Sequence, residues 1–542
     1  MPVSNAYRRI VGVFASLLLA GPWFTLAGPG LGSARAAEQL ELQLDGLAIP
    51  IELEQLEAWS RDPDRSRNDL AVWLNLLDRR SRQDLVQLLR APLLLDQSFG
   101  EQLLGSWTGQ QMLNEVGQLL RSSNGSNSSS RSNGSNSSAL LYQTLQQLLR
   151  TRKQVTTLEL LRALPVERLE LHLDGVLELA QQWRDQLDRQ RLALQQLRFL
   201  ALPRRKALPL VLANGASPLA IQRNLAVAHR SGPLPLQIWP SPKPSPGPWV
   251  VLMPGLGGSA GQLGWLAAAL ASWGWPVVVL DHPGSDAVAM QAALVGQRPP
   301  PGAETLPERL DDLQAVLQAQ QRGELAELSV PPGQPVVLMG HSLGGLAALM
   351  AAGLKPEPGL AQRCRKALQR LPLTNLSRLL QCQLPQSLPP QPRIRQTPIA
   401  GVVAFNGFGS LLWPSQGLVS LEVPVLLVGG SLDLVTPPLS EQLDVFLPRA
   451  HPRNRLVMVE GGSHFSPVRV TRQGHALFQL GDELVGVEPR KVQQLLLQFT
   501  AEFLKGIDDP LLLSPQQRDQ NGVRAYVLDP TEARRWKRQI RY

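Results

Sequence analysis

A chain of 542 residues has room for two or more domains and at least one sizeable core. Its formal net charge of +9 would suit nucleic acid or an anionic membrane surface. However, the central chain has no zinc-ligand spacing, no RNP-like aromatic motif and no dense basic helix, which argues against a nucleic-acid partner.

The first element in chain order reads as an export signal. Arg8 and Arg9 precede an apolar stretch from Ile10 to Leu19, and "SARAAEQ" offers Ala34-Arg35-Ala36 for cleavage. That stretch is too short for a comfortable transmembrane helix. Residues 1–37 are therefore expected to be removed and the mature protein to work in the periplasm or outside the cell. In that setting the only two cysteines, Cys364 and Cys382, are expected to pair, with a stabilisation of about 3 kcal/mol. No histidine lies near enough to them to complete a metal site, so neither metal nor cofactor is expected.

Residues 38–202 read as a helical domain. "LEQLEAWSRD", "DLAVWLNLLDRR" and "QDLVQLLRAPLL" carry apolar residues at three- and four-residue intervals, and "LDGVLELAQQWRDQLDRQRLALQQLRFL" predicts one long helix. Within this region residues 122–138 hold "SNGSNSS" twice, a polar tract that cannot bury surface and predicts a flexible loop.

From 207 onward, apolar β-rich runs alternate with helical segments, which predicts a parallel sheet with crossover helices. The strand candidates are Trp249–Met253, Val277–Leu280, Val336–Met339, Val402–Phe405, Val425–Val428 and Leu456–Val459, with "LPLQIWPS" as an antiparallel edge strand. A Pro-, Leu- and Gln-rich insertion at 356–398 carries both cysteines and is expected to cap a site. Residues 506–542, ending in "EARRWKRQIRY", read as a basic, solvated tail.

Gly340-His341-Ser342-Leu343-Gly344 fits the G-x-S-x-G pattern. A strand that reverses directly into a helix strains its central residue, and side chains two residues either side would collide there. The pattern alone is weak. Its position after the apolar run Val336–Met339 and before Ala347, Ala348, Ala351 and Ala352 supplies the required context. Ser342 is thus the expected nucleophile; the alternative is a solvated serine in a Gly-rich turn. A serine hydroxyl needs a histidine to take its proton and a carboxylate to orient that histidine. Asp433 lies in the turn after "VPVLLVGG" and His464 in the turn after "RLVMVEGG", which gives the order Ser, Asp, His. Asp281 and Asp286 compete for the acid, and His282, His451 and His475 for the base. His341 is expected to pack beside the nucleophile. The oxyanion donors are expected to be the backbone N–H groups of Leu343 and Leu256, the latter in the loop "MPGLGGSAGQLGW".

On "PGLGG", "VVVLDHPGS", "ERLDDL", "GHSLGG", "GGSLDLVTP" and "GGSHFS", residues 207–505 resemble the α/β-hydrolase superfamily, particularly its dienelactone hydrolase and platelet-activating-factor acetylhydrolase-like branch. The whole chain is similar to exported bacterial hydrolases, best known from oxygenic photosynthetic bacteria, with a helical domain ahead of the core. The resemblance implies an α/β-hydrolase fold, a mostly parallel sheet flanked by helices, preceded by an all-α N-terminal domain. Family members usually carry His-Gly at the oxyanion loop, where this chain has Pro254-Gly255; the donor there is a backbone group. Dienelactone hydrolases use a cysteine nucleophile, so serine points toward esters. The expected activity is hydrolysis of a small-molecule or lipid ester, with medium or long acyl chains favoured. The N-terminal domain is expected to complete an acyl channel or to dock the enzyme on a membrane or partner. A non-catalytic lipid- or partner-binding protein on the same scaffold, and a peptidase or amidase, are the alternatives.

Overall fold

The computed structural model describes residues 37–44, 47–74, 79–90, 92–94, 102, 104–122, 132–151, 155–166, 168–206, 218–242, 247–369, 375–384, 397–448, 451–469, 488–507, 509 and 513–540. The export signal at 1–36 and His475 lie outside them. The chain divides into two compact units, one reaching Arg184 and including Gln291–Pro300, the other formed by Asp185–Met290 and Pro301–Tyr542.

The first unit is not all-α, which corrects the expectation for the N-terminal region. Strands β1 (Gln39–Leu44), β2 (Leu47–Glu52), β4 (Leu120–Ser122) and β6 (Arg168–His172) form a four-stranded sheet in the order β2-β1-β6-β4, and β3 (Pro92–Leu94) pairs with β5 (Val155–Thr156). Leu40 and Leu42 alternate with Gln39, Glu41 and Gln43, a period of two that directs one face into a core. That core also takes Leu53, Leu56 and Trp59 from the helix Leu53–Arg61, and Leu145, Leu148 and Leu149 from the helix Ser132–Leu149. The second "SNGSNSS" thus starts a helix, which corrects the loop expected at 122–138; residues 123–131 lie outside the described residues. The long helix is present as Leu173–Leu197.

The second unit is built on an eleven-stranded sheet. Its strands are β7 (Arg204–Lys206), β8 (Ile221–Leu225), β9 (Leu234–Trp239), β10 (Trp249–Met253), β11 (Val277–Leu280), β12 (Val336–His341), β13 (Ile399–Phe405), β14 (Val425–Gly430), β15 (Arg455–Val459), β16 (Gln516–Gln520) and β17 (Val523–Leu528). Their order is β7-β16-β17-β15-β14-β13-β12-β10-β11-β9-β8, and the run from β15 to β11 is parallel throughout. All six expected parallel strands are present, and β9 pairs antiparallel to β11. The continuous apolar runs follow from burial on both faces. Trp249, Val251 and Met253 enter one core layer and Val250 and Leu252 the other. The helices Leu306–Gln321 and Leu343–Ala351 cover the first face, while Ala260–Ser272 and Pro489–Lys505 cover the second.

Residues 513–540 correct the reading of a solvated tail. β16 and β17 form a hairpin on the sheet, turned at Asn521 and Gly522 with φ 50° and 94°. The helix Pro530–Gln539 follows and buries Trp536, whose Nε1 donates to the Ala193 carbonyl over 2.7 Å. The insertion forms two helices, Leu360–Ala367 and Ser377–Gln383, joined by a Cys364–Cys382 disulfide with Cα atoms 5.4 Å apart. Leu360, Leu368 and Leu380 pack on the core layer beneath.

Candidate active site

β12 delivers Ser342 at its carboxyl end, and the chain turns at once into the helix Leu343–Ala351. Ser342 sits at φ 53° and ψ −118°, a region that L-residues avoid. A Cβ on Gly340 would lie 2.2 Å from the Gly344 backbone, the collision anticipated from the pattern, and one on Gly344 would lie 2.3 Å from the Met253 carbonyl. The strain is held by the Ser342 amide, which donates to the Phe405 carbonyl over 2.9 Å, and by the Ser342 carbonyl, which accepts from Leu346. Ser342 Oγ has no hydrogen-bond partner among the described residues.

Asp433 and His464 are brought together from the ends of β14 and β15. His464 Nδ1 lies 3.0 Å from Asp433 Oδ2, so its N–H donates to the carboxylate and Nε2 is left as the basic nitrogen. Asp433 is fully buried. Burial alone would raise its pKa, but the charge and hydrogen bond of His464 and the two bonds from Thr436 hold it below the ordinary carboxylate value. Its Oδ1 accepts the amides of Val435 and Thr436 at 2.9 and 2.7 Å, and its Oδ2 accepts Asn406 Nδ2 at 2.6 Å and Thr436 Oγ1 at 2.5 Å.

The link between this pair and Ser342 runs through His341. Its Nε2–H donates to the His464 carbonyl over 2.8 Å, and the two imidazole centroids lie 4.8 Å apart. Burial, followed by the neighbouring His464, lowers the His341 pKa to about 3, so the ring is neutral. His341 is buried in the elbow next to Ser342, and its bond to the His464 carbonyl ties the elbow to the histidine turn.

The loop after β10 closes on the elbow from the other side. A Cβ on Gly255 would stand 3.2 Å from Ser342 Cβ and 2.9 Å from His341 Nδ1, so only glycine fits there. The amides of Leu256 and Leu343 donate to no acceptor among the described residues. The second is the first N–H of a helix, which has no intrahelical partner. The competing residues are engaged elsewhere. Asp281 Oδ1 accepts the Ala260 amide, Asp286 accepts the Ala289 amide, His282 bonds Asp312 and His451 Nδ1 accepts the Arg453 amide. Among the described residues no cluster of three or more His, Cys, Asp or Glu is arranged to hold a metal ion.

Three residues at this site escaped the sequence reading. Asn406 and Thr436 bind Asp433, and Arg309 binds the loop at Pro254 and Gly255. Asn406 carried a faint signal, since Asn is one of the few residues that tolerates the positive φ of 50° found here.

Residues 250–478 match a family model described as an alpha/beta hydrolase family, and residues 36–172 match one described as an alpha/beta hydrolase of unknown function (DUF1400). No curated protein matches the chain. The parallel sheet with helices on both faces and the match over residues 250–478 together show that this chain carries an α/β-hydrolase fold.

Proposed function

We propose that the protein is an exported serine hydrolase that cleaves carboxylic esters through an acyl-enzyme, with lipid-like or medium to long acyl esters favoured. The observation that carries this reading is the Asp433–His464 hydrogen bond at 3.0 Å, tied through His341 to a serine held at φ 53°. His464 Nε2 takes the Ser342 proton as Oγ attacks the ester carbonyl carbon. The Leu256 and Leu343 N–H groups receive the oxyanion, and the histidine then protonates the departing alcohol. Water repeats the sequence on the acyl-enzyme and releases the acid. Asp433 stays ionised and orients the imidazole.

Resemblance to the dienelactone hydrolase and platelet-activating-factor acetylhydrolase-like branch, with serine in place of cysteine, supports an ester substrate. Arg8-Arg9, the apolar run Ile10–Leu19 and the disulfide support export. The N-terminal unit is proposed to dock the enzyme on a membrane or partner. A graded p-nitrophenyl ester series beside an amide panel tests the reading. Turnover rising from acetate to longer acyl chains supports it. Faster cleavage of amides would move the assignment to a peptidase, and no turnover of either class would favour a binding protein.

A further inference from the structure

Arg309 projects from the helix Leu306–Gln321 and is fully buried. Its guanidinium makes four hydrogen bonds, none to a carboxylate. Nη1 donates to the Pro254 carbonyl at 2.8 Å, Nη2 to the carbonyls of Gly255 at 3.1 Å and Ser285 at 3.0 Å, and Nε to Ser285 Oγ at 2.8 Å. The nearby acid, Asp312, is instead held by Arg230, His229 and His282. Burial lowers the Arg309 pKa to about 9, although the charge of Asp312 opposes the shift. A cation buried among carbonyls is costly, and packing alone would be served by an apolar side chain of similar volume. What a guanidinium adds is direction.

That direction bears on one peptide unit. In a trans peptide the C=O and the following N–H point to opposite sides of the chain. With the Gly255 carbonyl turned onto Arg309, the Leu256 N–H is turned the other way. Gly258 N also donates to the Gly255 carbonyl at 3.1 Å, and Gly257 N to the Ser285 carbonyl at 2.8 Å, so the loop has little freedom to rotate. The same loop presses on the elbow, because a Cβ at Gly255 would lie 3.2 Å from Ser342 Cβ.

We propose that Arg309 is the positioning residue of the oxyanion loop: it fixes the Pro254 and Gly255 carbonyls, aims the Leu256 N–H at the oxyanion, and polarises that peptide with its charge. The inference rests on the serine-hydrolase reading above. Loss of one oxyanion donor costs about 10²-fold to 10³-fold in kcat. Arg309→Met should therefore lower kcat by roughly 10²-fold while KM stays within about threefold. Affinity for an alkylboronic acid, whose hydroxyl occupies the oxyanion position, should fall in step with kcat. Arg309→Lys keeps the charge with less directed donors and should restore about a tenth of the wild-type kcat.

Four measurements decide it: kcat, KM, boronate affinity and fluorophosphonate labelling of Ser342, each in the full-length protein. A merely structural role would move stability and KM without a selective loss of boronate binding. Wild-type kcat in Arg309→Met, or a kcat loss with boronate affinity intact, overturns the inference. If Arg309→Met fails to fold, Arg309→Lys decides alone, and unchanged kcat in that variant overturns it equally. Absence of ester turnover and of Ser342 labelling in the wild type removes the parent reading and this inference together. A labelled, active wild type matched by an active Arg309→Met removes only the inference.

Discussion

The side-chain amide of Asn406 donates to Oδ2 of Asp433 over 2.6 Å from a backbone held at φ 50°. The same oxygen receives the His464 ring at 3.0 Å, and the Asn406 carbonyl lies 3.1 Å from Thr436 Oγ1. Strain at residue 406 is thus coupled to a bond that keeps the acid in place. Two effects compete when Asn406 becomes glycine. Relief of the left-handed conformation gains about 1 kcal/mol, while an abandoned buried carboxylate bond costs about 1–3 kcal/mol. We expect Asn406→Gly to lose stability in urea denaturation and to lower ester turnover. A gain in stability would mean that the strain, not the bond, dominates.

Two buried histidines should make the fold less stable as pH falls below neutrality. Burial and the neighbouring His464 lower His341 from 6.5 to about 3, and burial with the Arg309 charge lowers His282 from 6.5 to about 4. Both rings are neutral in the folded protein where the unfolded chain already binds their protons. The contribution is therefore complete above pH 6.5 and declines as pH falls from 6.5 toward 4, by up to about 1.4 kcal/mol per pH unit for each ring. His282→Asn, which keeps a donor for Asp312, should reduce the slope of unfolding free energy between pH 6.5 and 4.5 by roughly half. An unchanged slope would show that His282 is not among the groups responsible.

The disulfide closes a segment with a sequence separation of 18, and its second helix reaches the acid loop through the Ser377 amide on the Val435 carbonyl at 2.9 Å. Loop-closure entropy for a segment of that size is about 3 kcal/mol. Reduction, or Cys364→Ser with Cys382→Ser, should lower the unfolding free energy by about that amount. A difference below about 0.5 kcal/mol would show that the bridge contributes little under those conditions.

The carboxyl-terminal segment is structural. Trp536 is fully buried and bonded to the Ala193 carbonyl, and β17 pairs with β15, the strand that leads to His464. Trp536→Ala should cost about 3–5 kcal/mol, measured by denaturant titration. A loss under 1 kcal/mol would return residues 530–540 to the status of an appended tail.

Much of this was legible because it is local. Strands buried on both faces read as apolar runs, such as Trp249–Met253, and turns that carry Ser342, Asp433 and His464 announce themselves by their glycines. Two local signals were present and passed over. Asn521-Gly522 is a strong hairpin cue between β16 and β17, masked by the charge around it. Leu40, Leu42 and Leu44 alternate strand-fashion ahead of long helical segments. Arg309 was not legible at all, and Asn406 only faintly, through its tolerance of a positive φ. Each meets its partner across the fold, Arg309 with Gly255 at 54 residues and Asn406 with Asp433 at 27, and no spacing rule connects them.

Peptide mass spectrometry after a fluorophosphonate treatment tests whether Ser342 is the nucleophile and His464 its base. One adduct is expected, on Ser342, formed slowly or not at all in His464→Ala, with ester turnover abolished in Ser342→Ala. An adduct on another serine, or undiminished turnover in Ser342→Ala, would contradict that assignment.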